Sequence, residues 1–164
     1  MAEVLKIKNR FLTSLVVWLV QQSLKGQYSR ARTRFVNKCQ VRIKEVSDFY
    51  QELLEKMALK EANNEFKKEK RNINGVMKEV FSFKDKKTEE EFIKEVDELY
   101  DEDFILEVSV ENKKDLKIIR NIILDTDYKF GPKPDQTPKQ TQQAIRIAKE
   151  YNEWCEVFEN LNIK

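Results

Sequence analysis

SLKGQYSRARTRFVNKCQVR, residues 23–42, carries four arginines and two lysines without one acid, and Gly26 divides it. Upstream lies FLTSLVVWLV, residues 11–20, apolar around most of a helical circumference. A helix over 10–24 is expected there, with Asn9 as its N-cap and Gly26 closing it in the left-handed region. Downstream, Ala31, Phe35, Cys39, Ile43, Val46, Tyr50, Leu53 and Met57 follow one another by threes and fours. That spacing predicts a second, longer amphipathic helix from Tyr28 or Ser29 to about Glu69. The quoted stretch is therefore read as a junction between two helices, with a basic ridge at the start of the second.

Working outward, residues 3–8 suit a short strand or extended lead-in. Asn74-Gly75 is the preferred pair for a two-residue hairpin loop. It is flanked by an alternating run, VMKEVFSFK (76–84), and a poorer strand near 70–73. Thr88 and Glu91 stand in capping-box spacing before an acidic helix, and DFILEVSV (103–110) reads as another strand. A helix opens near Asn112 or Lys113. All three prolines fall in 125–138, after which Thr137 and Pro138 begin a last helix. The expected fold is α+β and helix-dominated, with four or five helices and a small antiparallel sheet from residues near 70–84 and 103–110. One domain, 1–164, is expected in four segments. These are a basic helical hairpin (1–69), a sheet with an acidic helix (70–126), a proline-rich loop (127–138) and a C-terminal helix (139–164).

The apolar run 11–20 is about half the length a spanning helix needs, so no membrane association is expected. It resembles a signal-peptide core, but QQSLKG offers no small-residue cleavage site, and a buried core helix is the better reading. Cys39 and Cys155 lie far apart in apolar helical patterns, which suits buried free thiols in a reducing cytosol.

The chain holds 164 residues and has a net charge of +2, which conceals a strong polarity. Residues 1–44 carry ten Lys and Arg against Glu3, while 88–111 carry eleven acids against Lys94. No histidine is present, which removes histidine bases, nucleophilic triads and nearly all zinc chemistry. There is no C-x-x-C pair and no glycine-rich phosphate loop. Glu98, Asp101, Glu102 and Asp103 are dense enough to ligate Mg²⁺ or Ca²⁺, yet lack the spacing of a calcium loop and read as a solvated run. The expectation is a non-enzymatic protein with no metal and no cofactor.

Arg30, Arg34, Lys38 and Arg42 recur every four residues beside the apolar row, and such like-charge neighbours repel. The acidic block, within or between chains, or an anionic ligand would offset that repulsion, and solvent is the third possibility. Lys25, Gln27, Tyr28, Arg30, Arg32, Arg34, Lys38 and Arg42 form the candidate binding surface.

The stretches LKIKNRFL, LKGQYSRARTRFV and KKEKRNINGVMKEV resemble a family of uncharacterised small proteins from phages and prophages of Gram-positive bacteria. The shared features are an L-K-G-x-x-S-R-x-R junction and an acidic F-x-x-E-x-x-E-L helix. Here they fall on Leu24, Lys25, Gly26, Ser29, Arg30 and Arg32, and on Phe92, Glu95, Glu98 and Leu99, with the likeness covering roughly the first 125 residues. The resemblance implies a phage protein in the host cytoplasm that blocks a host component, such as a defence protein or a nucleotide-like signal. Its partner would be a host protein or a small phosphate-bearing ligand, and the protein itself a homo-oligomer. The alternatives are a self-associating virion or assembly component and a nucleic-acid-binding protein.

Overall fold

A computed structural model describes residues 3–125, 135 and 137–163. Among these lie five helices and four strands: β1 (Val4–Lys8), α1 (Asn9–Gln21), α2 (Gly26–Met57), β2 (Lys68–Ile73), β3 (Val76–Phe81), α3 (Lys86–Asp101), β4 (Asp103–Glu107), α4 (Lys113–Leu124) and α5 (Pro138–Glu159). The protein is thus helix-dominated α+β. The chain forms two compact units, Met1–Lys44 with Glu102–Lys164, and Glu45–Asp101.

In the first unit, β1 and β4 pair antiparallel, Leu5 opposite Leu106 and Ile7 opposite Phe104. The alternation of β1 buries Leu5 and Ile7 and leaves Lys6 and Lys8 outside, as a sheet with one wet face requires. The inward face meets α1, whose Leu12, Leu15, Trp18 and Leu19 are fully buried. Each such side chain contributes roughly 1.5–3 kcal/mol by leaving water. Phe35 and Cys39 from α2, Ile119 and Ile123 from α4, and Trp154 and Phe158 from α5 complete one core. Aromatic rings set its geometry, with Trp18 edge-on to Tyr151 at 5.9 Å and Phe35 edge-on to Phe158 at 6.1 Å.

A polar clasp joins α1 to α5. The Ser14 hydroxyl bonds the Glu150 carboxylate, which also accepts from Arg146 Nε at 2.7 Å, and Arg146 Nη2 donates to the Arg10 carbonyl at 3.1 Å. The start of α5 is the one expected: Thr137 Oγ1 accepts from the Gln140 amide, Gln140 reaches back to the Thr137 amide, and Pro138 opens the helix. The proline-rich loop of 127–138 lies outside the described residues, apart from Asp135 and its end at Thr137 and Pro138.

The second unit has a smaller core. Tyr50 and Phe83 both pack on Phe92, at 5.9 and 4.9 Å between ring centroids, and Phe66 stands edge-on to Phe81. The β2–β3 hairpin turns at Asn74-Gly75 with φ of 52° and 82°. Positive φ at both positions marks the I′ turn that the twist of a hairpin favours.

Several boundaries differ from expectation. Helix α1 begins at Asn9 rather than being capped by it, and its N-cap residue Lys8 makes no side-chain cap. It ends at Gln21, and Gly26, at φ +57°, opens α2 instead of closing α1. Helix α2 stops at Met57, twelve residues short of Glu69. Beyond it the backbone pairs with other segments of the same chain: Ala58 bridges Phe83, Lys60 bridges Phe66, and the Leu59 amide donates to the Ser82 carbonyl. Asn64, at φ 68°, turns this segment back. Helix α3 is capped by Asp85, whose carboxylate accepts from the Thr88 amide and hydroxyl, so Thr88 is inside the first turn. The strand 103–110 ends at Glu107 and joins β1, not the hairpin, so the single expected sheet is two separate two-stranded ones. Among the described residues no helix is long and apolar enough to cross a membrane.

Candidate binding surface at the α1–α2 junction

All eight residues singled out from the sequence lie in the first unit, on or just before α2. The structure sorts them by what lies opposite each. Arg32 turns back onto the end of α1, where its guanidinium donates to the Gln22 carbonyl at 2.7 Å and more weakly to those of Leu19 and Val20, both at 3.4 Å. These carbonyls belong to the last turn and exit of α1, where the helix runs short of internal donors, the Gln22 amide reaching Leu19 O at 3.2 Å, and where its dipole is negative. Gln22 closes the same turn, its Nε2 donating to Trp18 O at 3.0 Å. Arg32 is therefore a clamp on the helix junction.

Arg42 is engaged as well. Its Nε donates to the buried Asn9 Oδ1 at 3.0 Å and its Nη2 to Glu102 at 2.8 Å, leaving the side chain only 19% exposed. The Asn9 amide in turn donates to the Glu102 carbonyl. One guanidinium thereby ties α2 to the start of α1 and to the residue before β4. Nearby Lys8 pairs with Asp103 at 3.0 Å. Glu102 and Asp103, which the sequence offers as metal ligands or solvated charge, thus serve as counter-ions. Among the described residues no three acidic or thiol side chains gather into a metal-binding group.

Arg34 makes a two-pronged pair with Asp115 at the start of α4, both contacts at 2.6 Å. The fork geometry of guanidinium and carboxylate suits this arrangement. Hydrogen bonding from Arg34 holds the Asp115 carboxyl below its ordinary range, with the charges of Arg34, Lys38 and Lys114 adding to the effect. Asp115 is the residue that sequence reasoning missed. One signal was available: it precedes Leu116 and stands four before Ile119, on the apolar side of α4, where a carboxylate needs a partner.

A cleft of about 240 Å³ lies beside this pair, floored by Phe35, Leu106 and Leu116 and rimmed by Arg34, Lys38, Glu111 and Asp115. Two cations face two anions, so the rim has no surplus charge to hold a phosphate. The surplus lies earlier. Lys25, Gln27, Tyr28 and Arg30 are exposed, with no side-chain hydrogen bond or ion pair among the described residues, and Tyr28 keeps 45% of its surface. Lys38, also exposed, carries this face one helical turn past Arg34. The expected repulsion along Arg30, Arg34, Lys38 and Arg42 is therefore offset at Arg34 and Arg42 by Asp115 and Glu102, in part at Lys38 by the nearby charge of Asp115, and left open at Arg30.

Neither cysteine is activated toward nucleophilic attack. Burial pushes the Cys39 thiol up to about 12, and burial also raises Cys155; attack requires the thiolate. Comparison with protein-family models, curated proteins and solved structures finds no match to this chain.

Proposed function

We propose that the protein is a non-catalytic binding protein, encoded by a phage and acting in the host cytoplasm, that blocks a host protein by docking it on the basic helix junction. The contact residues are Lys25, Gln27, Tyr28, Arg30 and Lys38, with Arg34 at their edge. The observation that carries this reading is the division of labour along α2. Arg32 and Arg42 are consumed in holding the junction together, whereas Lys25 and Arg30 are exposed without a counter-ion among the described residues, and Lys38 is exposed with no direct ion pair, only the nearby charge of Asp115.

A rigid helix presenting unpaired cations around an exposed tyrosine has the make-up of an interface hot spot, since tyrosine and arginine dominate such spots. The partner it fits is an acidic protein surface. A small phosphate-bearing ligand is a weaker match, because ligand pockets enclose most of their occupant and these side chains stand in solvent. The phage origin rests on the resemblance of the junction and acidic-helix motifs.

The test is recovery of tagged protein from a lysate of a Gram-positive host, followed by native mass spectrometry. Wild type is compared with Lys25→Glu/Arg30→Glu/Lys38→Glu and with a control reversing the exposed Lys84, Lys87 and Lys94. The proposal predicts a host protein that co-purifies with wild type and control and is lost from the junction variant. Added mass of nucleotide size would transfer the reading to a ligand. Equal recovery by all three proteins would refute the junction as the docking surface.

A further inference from the structure

The β2–β3 hairpin breaks two local rules at one place. Ile73 and Val76 face each other at its tip with Met77 beside them, exposed at 38%, 56% and 61%. Directly behind them Arg71 stands opposite Lys78, a like-charge pairing that is disfavoured across two strands and is offset here only through the carboxylates of Glu69 and Glu89 on Arg71. Both strands are exposed along nearly all their length, and a two-stranded ribbon without cover is marginal in water. Departures of this kind collect at functional positions.

The chemistry of the ribbon is graded along its length. Residues 67–79 hold five cations against two carboxylates. Glu69 is engaged by Arg71, which also binds Glu89. Lys67, Lys70 and Lys78 are exposed without an ion pair among the described residues, and Lys68 lies over the Phe81 ring at 5.5 Å. Asn72 and Asn74 bracket Ile73 at the tip, both exposed.

We propose that this hairpin is an arm for duplex DNA. The exposed lysines neutralise phosphates, the Asn72 and Asn74 amides reach base edges, and the aliphatic tip presses between base steps. Proteins that enter the minor groove combine the same three elements, namely cations, side-chain amides and an apolar wedge that unstacks a step. A groove flanks a ribbon along its length and on both faces, and here each face carries an exposed lysine, Lys70 across from Glu79 on one and Lys78 across from Arg71 on the other, with Arg71 itself tied to Glu89 of α3. An anionic lipid surface would need only the tip and the first charges behind it. The arm belongs to the second unit and does not depend on the reading of the junction.

The test uses the full chain and a fluorescein-labelled duplex of about 20 base pairs, with binding followed by anisotropy across a salt series. Each phosphate contact contributes about 0.9 to the slope of log affinity against log salt. Lys70→Gln/Lys78→Gln is expected to lower that slope by about two and weaken binding most at low salt. Ile73→Ser/Met77→Ser is expected to keep the slope but lose the fluorescence rise of a 2-aminopurine placed in the duplex, with circular dichroism unchanged in both variants. No duplex binding by wild type at low salt would overturn the proposal. So would an unchanged slope in the lysine variant, or binding to phosphatidylglycerol vesicles in place of duplex.

Discussion

Replacing Arg32 by alanine and Arg30 by alanine removes the same side chain from positions two residues apart, yet the two changes should differ in kind. Arg32 supplies one strong charge-assisted hydrogen bond, at 2.7 Å to Gln22 O, and two long ones at 3.4 Å to the end of α1. A hydrogen bond to a charged group is worth about 1.5–3 kcal/mol, and water recovers part of that at this half-buried site. Loss of the cation from a helix C-terminus adds about 0.3–1 kcal/mol. Arg32→Ala should therefore cost about 1–2 kcal/mol. Arg30, with no side-chain partner among the described residues, should stay within about 0.5 kcal/mol of wild type. Trp18 and Trp154 are buried in the same unit, so tryptophan fluorescence in urea reports the unit that holds both arginines. With an m-value of about 1–3 kcal/mol/M, the Arg32 variant should shift its midpoint down by roughly 0.5–1 M while the Arg30 variant overlays wild type. Equal midpoints for the two variants, or a larger loss at Arg30, would refute the division of the basic ridge into clamp and surface.

Other predictions come from the same unit. The Asp115 carboxyl has a folded pKa below its unfolded value, owing first to its hydrogen bonds from Arg34, so its contribution is present above about pH 4 and fades as pH falls through the folded value. Urea midpoints at pH 7 and pH 3 should thus differ less in Asp115→Asn than in wild type, and an identical difference would contradict the pairing. Burial with a thiol pKa of about 12 should keep Cys39 unreactive toward a chromogenic disulfide reagent at pH 8 until urea unfolds the protein, with the partly exposed Cys155 reacting first. Phe158→Ala empties a fully buried position against Phe35 and should cost about 3–5 kcal/mol. A loss below about 1 kcal/mol in calorimetry or urea melts would place Phe158 outside the core.

Local signals in the sequence carried the elements that local chemistry defines. Asn74-Gly75 specified a hairpin because few other pairs tolerate two positive φ values, and Thr137-Pro138 specified a helix start because cap and first turn lie within four residues. The helix-dominated class followed from the long periodic stretches and the scarcity of glycine and proline. Features that depend on distant partners were not legible. Met57 ends α2 because Ala58 and Leu59 pair with residues more than twenty positions away, and nothing within that helix announces it. The partner of β4 is β1, almost a hundred residues earlier, and alternation alone cannot choose between it and the nearer hairpin. Asp85 is not distinguishable as the cap in the sequence because Thr88 matches the capping pattern equally well.

The candidate surface shows the same limit. Arg30, Arg32, Arg34 and Arg42 are alike in a one-dimensional reading, and all were singled out for the same reason. What separates them is the group across from each: a helix end for Arg32, Asp115 for Arg34, Asn9 and Glu102 for Arg42. Charge spacing identified the ridge, and only the tertiary contacts divide it into structural and exposed positions.

Amide hydrogen exchange of the protein alone and of the complex recovered from host lysate tests the docking surface most directly. The account predicts added protection in peptides covering Lys25 to Lys38, with those covering the C-terminal half of α5 unchanged. Protection confined to other segments, with Lys25 to Lys38 exchanging as in the free protein, would contradict it.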